Sequence, residues 1–274
     1  MPSYPHRLAA HVEGVGLIGP GLPGWRAGGA VLAGQAPYTS AATLLPAPLE
    51  LPPAERRRAG RVVRLALAAG NDALAPAGVD ARELPCVFSS SGGDGDNCHE
   101  ICQTLAGSER LLSPTRFHNS VHNAAAGYWS IAYGCTQPFT ALCAYDASFG
   151  AGLLEALCQL AAGAPRVLLI CYDLDYPPPL RATRPIPAAL GIALLLSGRD
   201  GPRGAQLQVE LIEATAPGAP GEATTLDDAA LEQLRRQIPA ARGLPLLACL
   251  ARGAGGRVLL DYLDDRRLAA WVLP

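Results

Sequence analysis

Lysine does not occur in this 274-residue chain; its 22 basic side chains are all arginine. Against 24 acidic residues they leave a formal net charge of −2, so no strong field draws the chain to nucleic acid or to an anionic membrane surface. The exclusive use of arginine, beside abundant Ala, Gly, Leu and Pro, reflects genome composition and says little about partners. No apolar run approaches the ~20 residues of a membrane span. The longest, residues 167–171 and 190–196, have the length of strands. The opening Met1-Pro-Ser-Tyr-Pro-His-Arg7 has neither the basic start nor the apolar stretch of a secretory signal. Eight cysteines in 274 residues are too sparse for a disulfide scaffold. Cys86, Cys143, Cys158, Cys171 and Cys249 lie in apolar runs, where a reduced thiol behaves as a small hydrophobe. A cytoplasmic protein with free thiols is the economical expectation.

What is present supports a sizeable core, since 49% of the chain is hydrophobic. The length suits one large domain or two small ones. Residues 11–18 read as a strand entering the Gly/Pro-rich turn 19–24, and 26–50 as irregular chain. Apolar positions Val62, Val63, Leu65, Ala66, Leu67, Ala69 and Leu74 predict a helix over 53–74. Further helices are expected at 97–106, 123–133 and 147–162, and strands at 84–90, 139–145, 166–172, 189–197 and 206–214. The near-continuous apolar runs at 166–172 and 189–197 suit a sheet covered on both faces. A Pro/Gly/Thr linker over 215–225 leads to a helix at 226–238 and two strands, 244–251 and 257–262. The alternation is that of an α/β protein.

Several patterns carry possible chemistry. Cys98-x3-Cys102-x15-His118-x3-His122 has the ligand types and order of a zinc site, with both cysteines on one helix face. The loop between the pairs is longer than usual for a small zinc module. Ser89-Ser-Ser-Gly-Gly-Asp-Gly95 has the look of a phosphate-cradling loop, but it lacks the P-loop spacing and no lysine exists to complete one. Asp94 and Asp96 are better placed to cap the next helix. Asp173 and Asp175 follow a buried strand, where surface solvation is the expected state. No Ser-His-Asp arrangement stands out.

Two segments point to a family. Ser113-Pro-Thr-Arg-Phe-His-Asn-Ser-Val-His-Asn-Ala-Ala-Ala-Gly127 is followed by Pro138-Phe-Thr-Ala-Leu-Cys-Ala-Tyr-Asp-Ala-Ser-Phe-Gly150 and on to Ala156. Laid down without gaps, this register resembles the N-terminal half of a β-ketoacyl synthase, the thiolase-fold enzyme that extends acyl chains. The opening strand, glycine-rich turn and Trp25 are similar too. The resemblance spans about residues 11–214 and is strongest over 85–172. In the family a strand ends in a sharp turn that carries the nucleophilic cysteine. Here that position is Asp146, and a carboxylate cannot form the thioester that condensation requires. The family's later histidine motifs have no counterpart after Cys171; all five histidines precede Asp146.

The resemblance implies a thiolase-like fold, an N-terminal half with a mixed sheet flanked by helices, followed by a short divergent helix-strand-strand tail. It divides the chain into a ketoacyl-synthase-like domain, 1–214, and a linker with a C-terminal extension, 215–274, packed on the same domain. Asp146 is expected to cap the following helix. Cys143 is the rival nucleophile, three residues early and expected to pack into the sheet. No cofactor is implied. The implied role is that of a non-catalytic, chain-length-factor-like subunit, which dimerises with a full-length synthase working on chains held by acyl carrier protein. In the family the strand here at 139–145 pairs with its counterpart across the dimer. The positions implied for tunnel and interface are Arg116, Phe117, His118, Ser120, Val121, His122, Phe139, Thr140, Ala141, Leu142, Cys143 and Tyr145. Similar short subunits accompany aryl polyene pathways. A minimal acyltransferase using Cys143 and a zinc-stabilised interaction module are the alternatives.

Overall fold

The computed structural model describes residues 7–198, 204–214 and 221–274, so most of the linker expected at 215–225 lies outside the described residues. In chain order the elements are β1 (Leu8–Ile18), α1 (Trp25–Leu32), α2 (Pro53–Arg58), α3 (Arg61–Leu74), β2 (Cys86–Ser89), α4 (Gly95–Ala106), α5 (Pro114–His118), α6 (Ala124–Tyr133), β3 (Phe139–Leu142), α7 (Ser148–Ala161), β4 (Arg166–Asp173), α8 (Pro178–Arg181), β5 (Leu190–Ser197), β6 (Ala205–Glu213), α9 (Ala229–Gln237), α10 (Leu244–Arg252), β7 (Gly256–Leu263) and β8 (Arg266–Leu273). The strands form a single eight-stranded sheet in the order β3-β2-β4-β5-β1-β6-β8-β7. β2 runs parallel to both β3 and β4, and the remaining pairs are antiparallel. This is a mixed sheet flanked by helices, the thiolase-like architecture expected.

Both faces of the central sheet are covered. The period-two alternation of strands splits β4 and β5 cleanly. Leu169, Cys171, Leu194 and Leu196 join one core with Leu153 and Leu157 of α7 and Leu246 and Leu247 of α10. Leu168, Ile170, Tyr172, Ala193 and Leu195 join the other, with Leu65 and Leu67 of α3 and Trp129 of α6. The continuous apolar runs of these strands follow from burial on both sides. α3 lies so close to β1 that a Cβ at Gly14 or Gly16 would fall within the carbonyl oxygens of Ala73 and Ala69.

Four departures from expectation have local causes. The single helix expected at 53–74 is two, because the chain extends at Ala59 and Gly60 before α3 begins. Residues 26–32, part of a stretch expected irregular, lie in α1. Residues 244–251, expected as a strand, form α10. A short apolar run does not by itself separate strand from helix, and Pro245 in the first turn with left-handed Gly253 at the end brackets a helix. β8 has no counterpart among the expected strands; it pairs with β6 and β7 and, with them, extends the sheet beyond β1.

Candidate functional site

β3 is an edge strand, and its end is the turn that the family resemblance singles out. The strand stops at Leu142, earlier than the expected Tyr145. Over the next residues the backbone reverses, and Tyr145 takes a φ of 51°, the one non-glycine positive φ among the described residues. Ser148 holds this turn: its hydroxyl accepts the Ala144 N–H at 3.1 Å and donates to the Tyr145 carbonyl at 2.7 Å. α7 starts directly behind it.

Asp146 sits inside this turn and does not cap α7, which has no side-chain cap. Instead Arg184 donates to its Oδ1 at 2.7 Å and Arg242 to its Oδ2 at 3.2 Å. Engagement of both carboxylate oxygens by guanidinium groups accounts for the failed expectation of a cap. The carboxylate is 42% exposed while the two arginine side chains are 16% and 19% exposed, so the cations lie beneath the anion. Arg184 also stacks on the Tyr145 ring, 3.6 Å from its centroid. Burial pulls its guanidinium pKa down, but the hydrogen bond and charge of Asp146 outweigh burial and leave it above the ordinary value. Neither arginine stands out in the sequence. They lie 38 and 96 residues from Asp146, one in the chain between β4 and β5 and one in the tail, and only the fold brings them together.

Cys143 follows β3 and is exposed, not packed into the sheet as expected. Its Sγ donates to the Ser91 carbonyl at 3.1 Å. His122 Nε2 lies 3.2 Å from the adjacent Ser90 carbonyl. Thus the glycine-rich loop after β2 is held at two successive carbonyls, and among the described residues no imidazole hydrogen-bonds Cys143 or Asp146. Asp94 caps α4 as expected, accepting the Asn97 N–H at 3.0 Å. Asp173 corrects a second expectation. It is 3% exposed, and it accepts the Ser91 N–H at 2.9 Å, the Ser91 hydroxyl at 2.6 Å and the Ala240 N–H at 2.8 Å. Burial pushes its carboxyl up to about 6, against the lowering effect of these bonds and of the Arg184 charge. Asp175 is instead paired with Arg61 and Arg181.

The zinc pattern is not assembled. Cys98 and Cys102 are exposed on α4, but His118 lies edge-on to Tyr128 and His122 faces the Ser90 carbonyl. Among the described residues no three His, Cys, Asp or Glu side chains gather at a point.

The remaining predicted positions lie on β3, at Tyr145 in the turn after it, or on a largely exposed excursion from 98 to 123. α4 buries only Gly95 and Asn97, and α5 buries nothing. Arg116 reaches Glu100 at 3.4 Å, and Ser120 donates to the Phe117 carbonyl at 2.8 Å. Phe117 is 67% exposed, and Leu111, Val121 and Ile131 are exposed as well. Phe117, His118, Val121, Tyr128 and Ile131 line an apolar groove of about 510 Å³. On β3, Phe139 is exposed and Thr140 donates to Glu155 at 3.2 Å.

With this geometry in place, residues 33–251 match the sequence profile of the β-ketoacyl synthase N-terminal domain. The chain belongs to that family. Solved structures similar to this ketoacyl synthase domain include a ketosynthase (ApeO) in complex with its chain length factor (ApeC) from Xenorhabdus doucetiae, at 22% identity and a TM-score of 0.72, covering 96% of this chain and 99% of that one. The ishigamide ketosynthase/chain length factor matches at 15% identity and TM-score 0.71, over 97% and 99% of the two chains. A type II acyl-carrier protein in complex with its ketosynthase bound to the hexaketide (AntDE:AntF) matches at 12% identity and TM-score 0.73, over 98% and 100%. At these identities the likeness speaks to the fold. No curated protein matches the ketoacyl synthase domain. Among its described residues no helix is long and apolar enough to cross a membrane.

Proposed function

We propose that this chain is a non-catalytic, chain-length-factor-like subunit that dimerises with a full-length β-ketoacyl synthase and shapes its acyl tunnel. The observation that carries the reading is the carboxylate of Asp146, bound by two arginines where the family's register places the nucleophilic sulfur. An oxygen acid already engaged by two guanidinium groups has no route to a thioester. The exposed apolar excursion around Phe117 and Val121, with an edge strand at β3, supports an interface for the synthase. The end-to-end match to chains solved as ketosynthase and chain-length-factor assemblies supports the same partner. Bulky groups from the excursion would end chain growth by exclusion, since an apolar chain gains ~0.8 kcal/mol per buried CH2 until it meets a wall. Acyl carrier protein would be engaged through the complex. Among acyl-extension pathways, aryl polyene synthesis is the one we favour, in the cytoplasm and without a cofactor.

Co-expression with any full-length synthase encoded beside it tests the reading. A stable complex is expected, with product length altered by Arg116→Ala or His122→Ala. A chain that purifies alone and leaves products unchanged overturns it. The exposure of Cys143 favours one other reading, a minimal acyltransferase. Transfer of a radiolabelled acyl group to the isolated chain, abolished by Cys143→Ser, would establish that instead.

A further inference from the structure

The arrangement around Asp146 has the form of an occupied receptor. Arg184 and Arg242 come from separate parts of the chain and converge on one carboxylate, one guanidinium on each oxygen. Both are largely buried, and the acid they hold is the most exposed of the three groups. Arg184 is further fixed by its stack on Tyr145, and its Nε is buried without a hydrogen-bond partner. The buried Asp173 carboxylate shares the Arg184 charge, and the unpartnered Nε leaves a spare donor at the site. A planar carboxylate suits this pair, since it offers one oxygen to each guanidinium group.

We propose that Arg184 and Arg242 form a binding site for a small carboxylate, which the chain fills from within using Asp146. The internal acid is tethered, so it outcompetes any free acid, and the site is closed to carboxylate-bearing ligands in the native chain. Its removal opens the site. This inference stands apart from the choice of partner, because it concerns only groups within the chain.

The test uses the full chain and sodium acetate, with sodium chloride at equal ionic strength as the control. Asp146→Ala is expected to lose stability and to regain it saturably with acetate. At about ten times its dissociation constant, acetate raises the folding equilibrium about elevenfold for a single site. The wild type is expected to show no acetate effect beyond chloride, and Asp146→Ala/Arg242→Gln to lose the rescue. Should the alanine variant be insoluble, Asp146→Ser carries the same titration. An acetate effect equal in wild type and variant, or none in the variant, overturns the site.

Discussion

The Ala240 amide donates to the buried Asp173 carboxylate at 2.8 Å, tying the end of β4 to the turn at 239–243 that precedes α10. The other oxygen of the same carboxylate holds Ser91. One acid therefore joins the glycine-rich loop to the C-terminal part of the chain, beside the turn that carries Asp146.

This acid makes stability depend on pH in an unusual direction. Its folded pKa, about 6, lies above the ordinary value of 3.8. The folded state therefore holds the proton more tightly, and the contribution is fully present below 3.8 and lost as pH rises through about 6. The difference amounts to about 3 kcal/mol. In urea titrations between about pH 4 and 7, wild-type stability should fall relative to Asp173→Asn by roughly that amount. Parallel curves for the two proteins would show that Asp173 is not the titrating group.

A cysteine introduced at position 146 should be acidic. Asp146→Cys would place a thiol beside Arg184 and Arg242, whose charges favour the thiolate. Its pKa should fall by at least about one unit from the free value near 8.5. Site-resolved mass spectrometry after brief iodoacetamide treatment near neutral pH should find the introduced thiol alkylated well ahead of Cys143. Equal labelling of the two sites would refute this electrostatic reading.

The sheet and the turn after β3 are legible in the sequence for different reasons. Strands β4 and β5 stand out as apolar runs because both faces are buried. The turn is legible through the segment from Ser113 to Ala156, which lies within the matched family range. The partners of Asp146 are not legible, since Arg184 and Arg242 look like ordinary surface arginines until β5 and the tail bring them in. Asp173 misleads for a related reason. A buried carboxylate is recognisable only from its donors, and two of these are backbone amides that carry no sequence signal. α10 misleads because its apolar run is only nine residues long, too short to separate helix from strand.

Close approach of α3 to β1 gives a third expectation. A methyl group at Gly16 would enter the space of the Ala69 carbonyl oxygen, a backbone atom that cannot rotate away. Gly16→Ala should therefore destabilise the chain by about 1–3 kcal/mol, in the range of core overpacking. Thermal melts should show the drop. An unchanged midpoint would mean that α3 shifts freely on the sheet.

The proposed interface yields the most direct expectation. Phe117 and Val121 are exposed on an excursion that buries little of itself, so changing them costs the isolated chain little. Burying such side chains in a complex stabilises it by about 1.5–3 kcal/mol each. Phe117→Asp with Val121→Asp should weaken binding to the proposed synthase partner by at least roughly 100-fold, with the melting temperature of the isolated chain nearly unchanged. Calorimetric titration of the two subunits measures the first quantity, and a thermal melt the second. Wild-type affinity in the double variant would move the interface away from the excursion and leave the β3 edge as the surface to test next. A lowered melting temperature together with lost binding would instead mark the excursion as part of the fold.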